Sequence, residues 1–323
     1  MILFSAGSEL PEDSADRLPA RPQSPRRSFA AYCLAIAMVP VLAIAASVIL
    51  ARSTWYVRHQ KNSYLAISDY PFTLKNVNCD VLIYGDSSAL TGISPVKIEE
   101  LTSLRACNIA QPNTALSVVK TFPLDSYLAN NAPPKFLIFQ FTAPDFSPYE
   151  SDTTLYEEGA LQLLRHKLDF SSLKVFARHP LEAIGFSQFI LRTALIEKDS
   201  TGATYDRSWK MVQANHGLFT VARPPLESCA GTMEKRLPDP AWIARLRNKY
   251  SNENTHVLVY VAPFPACDDS FDFYSGKLIG LAGNPLERYD IHLFNEKNHF
   301  TMDGANRNST RMAADLNRLL RQK

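Results

Sequence analysis

The chain opens on a polar leader and then carries one uninterrupted apolar run, FAAYCLAIAMVPVLAIAASVILA at 29–51, which contains no charged residue. About 20 residues rising 1.5 Å each cross a hydrocarbon core of ~30 Å, so the run predicts a transmembrane helix. Beyond it the pattern changes to short apolar runs separated by segments of helical period. DVLIY (80–84), a stretch at 105–110, KFLIFQF (135–141) and HVLVYVA (256–262) read as strands buried on both faces. A weaker fifth strand falls at 290–294. Helices are expected over 95–104, with Pro95 in the first turn, over 114–130, around 155–166 and 187–197, and over 238–250. The last helix, 302–320, repeats Ala305, Met312, Ala313, Leu316, Leu319 and Leu320 at helical spacing. Strands alternating with helices predict a parallel sheet and a three-layer α/β/α domain.

This pattern divides the chain into a disordered cytoplasmic leader (1–28), a transmembrane signal anchor (29–51), a polar connector (52–77) and a domain at 78–323. Between the third and fourth strands the βαβ rhythm lapses, and 146–236 reads as an insertion above the carboxyl ends of the strands, where open α/β sheets bind ligands. A cleaved signal peptide is the alternative for 29–51. Against it stand the length of the run and its polar leader. Arg17, Arg21, Arg26 and Arg27 before the run, against Arg52, Arg58 and Lys61 after it, place the N-terminus in the cytoplasm. The expected location is then a single pass through the cytoplasmic (inner) membrane, with the C-terminal domain facing the periplasm or cell exterior.

Composition narrows the function by exclusion. Thirty-four Lys and Arg against 32 Asp and Glu leave a net charge of +2 on 323 residues, which gives no electrostatic basis for nucleic acid as a partner. No nucleotide loop, H-E-x-x-H or Cys/His ligand set is present, so no cofactor or metal is expected. Cys79, Cys107, Cys229 and Cys267 lie beyond the apolar run and suit one or two disulfides, with Cys229–Cys267 the pair expected, or four buried thiols. Asn308-Ser309-Thr310 matches a glycosylation acceptor but sits inside a predicted helix.

Two segments carry candidate chemistry. Gly85-Asp86-Ser87-Ser88 follows the first strand directly, and a serine on a strand-to-helix turn presents its hydroxyl beside free backbone N–H groups. Turn chemistry alone also accounts for those residue types. Far along the chain, Glu296-Lys297-Asn298-His299 precedes the last helix. An acid three residues before a histidine can hold one imidazole nitrogen and leave the other for a serine, the nucleophile–base–orienter arrangement. His292, after Asp290, is the runner-up.

Together, DVLIYGDSSALTGISP, CNIAQPN, PPKFLIFQFTAPDF, HVLVYVAPFP and HFTMDGANRNSTRMAADLNRLL resemble the SGNH (GDSL-like) hydrolase superfamily. The closest likeness is to membrane-anchored members of cell-envelope and exopolysaccharide assembly. The resemblance spans about 78–145 and 237–323. It implies ester chemistry with Ser87 as nucleophile, His299 as base and Glu296 orienting it. Oxyanion and substrate contacts would come from Asp86, Asn113, Asn108 and Thr142. The chain departs from the family in three places: Glu296 stands where Asp is usual, Asn113 replaces a glycine, and FTAPDF offers Thr142 and Asp145 in place of an asparagine. The function expected is a membrane-anchored esterase or O-acyl(acetyl)transferase, acting on a polysaccharide or acylated carbohydrate. Membrane acyltransferases or polysaccharide-assembly proteins are its expected partners. The alternative is a catalytically degenerate subunit that binds glycan or docks on an assembly and export complex.

Overall fold

A computed structural model describes residues 25–112, 121–147, 157–221, 223–229, 231–282 and 285–322. The chain divides into two compact units, Met1–Ala43 and Ile44–Lys323. Helix α1 (Pro25–Arg52) starts in the first and ends in the second. Its stretch Phe29–Arg52 is long and apolar enough to cross a membrane.

Three short helices follow: α2 (Thr54–Arg58), α3 (Ser63–Ala66) and α4 (Tyr70–Thr73). The sheet then begins, running β1 (Val81–Gly85), α5 (Ser87–Gly92), α6 (Pro95–Thr102), β2 (Ala106–Asn108), α7 (Phe122–Asn130) and β3 (Phe136–Phe141). A 3-10 turn, Ala143–Phe146, leads to four helices: α8 (Glu157–His166), α9 (Phe170–Arg178), α10 (Pro180–Leu195) and α11 (Ala203–Ala214). The chain ends with α12 (Pro240–Tyr250), β4 (His256–Val261), β5 (Phe264–Pro265), α13 (Ser270–Ala282), β6 (Arg288–Tyr289) and α14 (Met302–Arg321).

The four long strands form a parallel sheet in the order β2-β1-β3-β4, with Val81 opposite both Ala106 and Phe136, and Phe136 opposite His256. Side chains alternate across a strand, so each strand serves two cores. Leu82, Tyr84, Leu137 and Phe139 pack with Leu124 and Tyr127 of α7, Ile243 and Leu246 of α12, and Tyr274 of α13. Val81, Ile83, Phe136 and Ile138 pack instead with Ala89 and Leu90 of α5, Ile98 of α6, and Met312 and Leu316 of α14. Each fully buried side chain of this size contributes about 1.5–3 kcal/mol by leaving water.

Four expectations change. The fifth strand at 290–294 is absent as such: Ile291–Leu293 form a 3-10 turn capped by Asp290, whose carboxylate accepts from the His292 N–H. The strand pairing nearby is β5 with β6, a separate two-stranded piece. The predicted 114–130 helix is described only over Phe122–Asn130, its earlier part lying outside the described residues. The polar connector is folded instead, since Tyr56, Val57, Leu65, Ala66 and Ile67 are buried. Finally, α8–α10 of the insertion build a third core with Ala51, Tyr56, Val57 and Leu65, around the end of α1. Arg165 of α8 secures that end. It pairs in fork fashion with Asp69 and donates to the carbonyls of Ala51 (2.8 Å), in the last turn of α1, and Ser53 (3.0 Å), the residue between α1 and α2.

The disulfides are Cys229–Cys267 and Cys79–Cys107, and Cys33 is free.

Candidate active site

The turn after β1 is built by Asp86. It caps α5, its Oδ1 accepting from the Ser88 N–H (2.8 Å) and from the Ser88 hydroxyl (2.6 Å), while Oδ2 accepts from the Thr142 N–H (2.7 Å). All three donors are buried, so the carboxylate is fully committed to holding the turn. This separates the two serines. Ser88 is buried and tied to Asp86. Ser87 is half-buried, and among the described residues neither its hydroxyl nor its N–H has a hydrogen-bond partner. The α5 helix is pinned from behind. Gln140 donates to the Ser88 carbonyl (3.0 Å), and Asn308 donates to both Gln140 Oε1 and the Gly92 carbonyl (2.8 Å each). The Asn308 amide is therefore buried structure, and no glycan reaches it.

His299 stands on a tight loop. An antiparallel bridge between Phe294 and Phe300 closes residues 295–299, and the Asn295 N–H donates to the His299 carbonyl (3.0 Å). Phe300 locks this loop onto α5: its N–H donates to Thr91 Oγ1 (3.3 Å), and its ring lies where a side chain at Gly92 would otherwise be. The loop bearing His299 and the helix headed by Ser87 thus share one wall, and Asp86 and His299 interact electrostatically. No hydrogen bond joins Ser87 to His299 in this state. Such contacts often tighten only with substrate bound.

Glu296 Oε2 lies 2.5 Å from His299 Nδ1, a close approach without in-line hydrogen-bond geometry, and Nδ1 has no other partner. The other Glu296 oxygen is taken by Arg223. Burial lowers the His299 pKa below the ordinary imidazole value of 6.5, the Arg223 charge lowers it further, and Asp86 works in the opposite direction. The imidazole is consequently neutral at pH 7, the form a general base requires.

The remaining sequence candidates fare differently. Asn108 is fully buried: both of its amide N–H groups go to the carbonyls of Ala89 (2.8 Å) and Ile93 (3.1 Å), and its Oδ1 accepts from the Ala110 N–H. It therefore braces the β2 end and has no donor left for an oxyanion. Asp86 is an acceptor with its oxygens occupied and caps the helix instead. Thr142 gives its N–H to Asp86 and its hydroxyl to Asp145 (2.9 Å). With Lys297 and Asn298 it also lines a cavity of about 190 Å³. Asn113 lies outside the described residues. Burial, and then the adjacent Asp86 carboxylate, push Asp145 well above the usual carboxylate range.

Three residues join the site without any signal in the sequence. Arg223 engages Glu296. The Tyr64 ring lies 6.2 Å from the His299 ring, and burial pushes its phenol up to about 12. Glu158 of α8, buried and raised to about 7 by burial, interacts electrostatically with Tyr64. They come from the connector and the insertion, and only folding places them here. A larger cavity of about 530 Å³, lined by Arg58, Arg165, Tyr205 and Trp209 among others, includes none of the catalytic candidates.

The His299 environment predicts a pH profile. With His299 as a general base, its lowered pKa gives the expected result that kcat/KM for ester cleavage rises through an acid limb below pH 6.5 and is level at neutral pH. Arg223→Ala removes a cation that disfavours the imidazolium and frees Glu296. Both effects move the acid limb upward. An unshifted limb in the variant, measured by pH–rate profiles on both proteins, would refute the assignment.

No family model, curated protein or solved structure matches this chain.

Proposed function

We propose that the chain is a membrane-anchored serine esterase or O-acyltransferase of SGNH type. Its three-layer α/β domain would act on an acylated cell-envelope polysaccharide at the periplasmic or outer side of the cytoplasmic membrane. One observation carries this reading: Ser87 presents an unbonded hydroxyl at the head of α5, and the loop locked to that helix carries His299, kept neutral and with a carboxylate at its Nδ1.

The chemistry follows from those groups. His299 Nε2 takes the Ser87 proton as Oγ attacks the ester carbonyl. The tetrahedral oxyanion meets the Ser87 N–H, and the alcohol leaves with the proton returned by His299. Glu296 stabilises the transient imidazolium. The acyl group then passes from Ser87 to water in an esterase, or to a sugar hydroxyl in a transferase. The cavity at Thr142, Lys297 and Asn298 is the place for the carbohydrate.

A second reading is supported by Arg223, which draws one oxygen of Glu296 away from His299. In it the chain is a silent member of the family that uses the same cleft to bind glycan or to dock on assembly proteins. A fluorophosphonate probe separates the two. The full chain is required, because Ala51, Tyr56 and Val57 belong to the core. A phosphonylated Ser87 identified by peptide mass spectrometry supports the enzyme, and acetyl transfer to added oligosaccharides then names a transferase. An unlabelled protein that still retains oligosaccharide establishes the second reading.

A further inference from the structure

The unit Ile44–Lys323 carries an apolar surface that its own cores do not use. Helices α9 and α10 each turn one side toward the core at the end of α1, α10 through Phe186, Ile190 and Ala194. Their outward side is also apolar. Phe170 is 83% exposed, Leu181 80%, Leu173 54% and Ile184 48%. Single exposed apolar residues are ordinary on a protein surface, but four large ones on two consecutive helices form a patch. The spacings 170/173 and 181/184 put each pair on one helix face.

The place of this patch relative to α1 selects its occupant. The Ser47 hydroxyl donates to the Ser187 carbonyl (3.1 Å), and Tyr56 OH bonds Thr193 Oγ1 (2.8 Å). Going forward along the chain from Ser47 to Tyr56 therefore means going forward along α10. The N-terminal half of α10 therefore lies beside the last turns of α1, which within this unit are the apolar residues from Ile44 to Ala51. Lys174 and Arg178 of α9 are exposed and have no carboxylate partner among the described residues. An apolar face with cations at its edge, carried on helices packed against the apolar last turns of α1, has the character of an interfacial helix, which sinks about 5–10 Å into the headgroup–acyl boundary.

We propose that α9 and α10 form a second membrane contact of this protein. Phe170, Leu173, Leu181 and Ile184 bed into the acyl chains of the leaflet from which α1 emerges, and Lys174 and Arg178 meet lipid phosphates. The proposal rests on α1 spanning that membrane. The contact fixes the sheet domain in one orientation on the bilayer, so that the Ser87 cleft faces a polymer at a set height instead of swinging on a tether.

Depth-dependent quenching tests this on the full chain. In a Cys33→Ser background, an environment-sensitive fluorophore is attached at Phe170→Cys, Leu181→Cys or, within α1, Ile36→Cys. Each protein is placed in vesicles of equal parts phosphatidylethanolamine and phosphatidylglycerol. The expected result is quenching at all three sites by doxyl-labelled lipid, several-fold stronger than by aqueous iodide. Lipid quenching at 36 with iodide quenching at 170 and 181 overturns the proposal and leaves the span standing. Iodide quenching at all three overturns the span and the proposal together.

Discussion

Ser87→Ala is expected to lower p-nitrophenyl acetate turnover by the full chain at least ~10³-fold, with no measurable change in thermal stability. Under the proposed function, the loss follows from removing the attacking oxygen. The preserved fold follows from the site: Ser87 is half-buried, and its hydroxyl has no hydrogen-bond partner among the described residues. Surface changes away from caps and cores stay within about 0.5 kcal/mol. Ser88→Ala is the matched control and should behave in the opposite way. It removes a buried hydroxyl held at 2.6 Å by the capping carboxylate of Asp86, a loss of about 1–3 kcal/mol. Ser88→Ala should therefore reduce Tm while retaining turnover. Undiminished turnover in Ser87→Ala would end the case for this nucleophile.

Gly85→Ala should be the most damaging single methyl in the catalytic turn. A Cβ there falls 1.9 Å from the Gln140 carbonyl oxygen and 2.7 Å from Ala89 Cβ. Both neighbours are held firmly, because β1 and β3 are hydrogen-bonded along their length with Gly85 opposite Gln140. Relief requires separating the strands or displacing α5, and overpacking of this kind costs about 3 kcal/mol or more. A Tm decrease of roughly 6–12 °C, or failure to fold, is the expected readout in a thermal melt. Gly276→Ala, in α13, has open space at its Cβ and should melt with the parent protein. Gly92→Ala meets the Phe300 ring, a side chain and not backbone. It should cost less stability than Gly85→Ala but disturb the loop that carries His299. A Gly85→Ala protein as stable as its parent would show that the close approach of β1, β3 and α5 is not required.

The sheet was legible in the sequence because strands buried on both faces leave a local signature. All four apolar runs, 80–84, 105–110, 135–141 and 256–262, coincide with β1–β4. The last helix was legible for the same kind of reason, its 3.6-residue period surviving a polar outer face. The 290–294 segment misled because a short apolar run does not distinguish a strand from a 3-10 turn, and the Asp290 cap decides the matter.

At the catalytic turn, sequence and structure contribute different things. Gly-Asp-Ser-Ser after a strand and Glu-x-x-His before a helix are local patterns, and they pointed to Ser87, Glu296 and His299 without coordinates. Which serine is free could not be read, since it depends on where the Asp86 oxygens point. Asn108 is the counterpart: its place at the end of β2 already suggests a structural role in sequence, and the carbonyls of Ala89 and Ile93 that receive its amide make it a brace.

What the sequence by itself determined is therefore everything carried by neighbours along the chain: the apolar run at 29–51, the strand and helix alternation, and the Gly-Asp-Ser-Ser and Glu-x-x-His segments. The tertiary structure alone decided what depends on packing between distant segments. That includes the lock of Phe300 on α5, the claim of Arg223 on Glu296 and the lowered pKa of His299. It also includes the gathering of α8–α10 around the end of α1. Periodicity is a property of a few turns of chain, whereas a charge 73 residues away (Arg223 to Glu296) acts only once folding has brought it within reach.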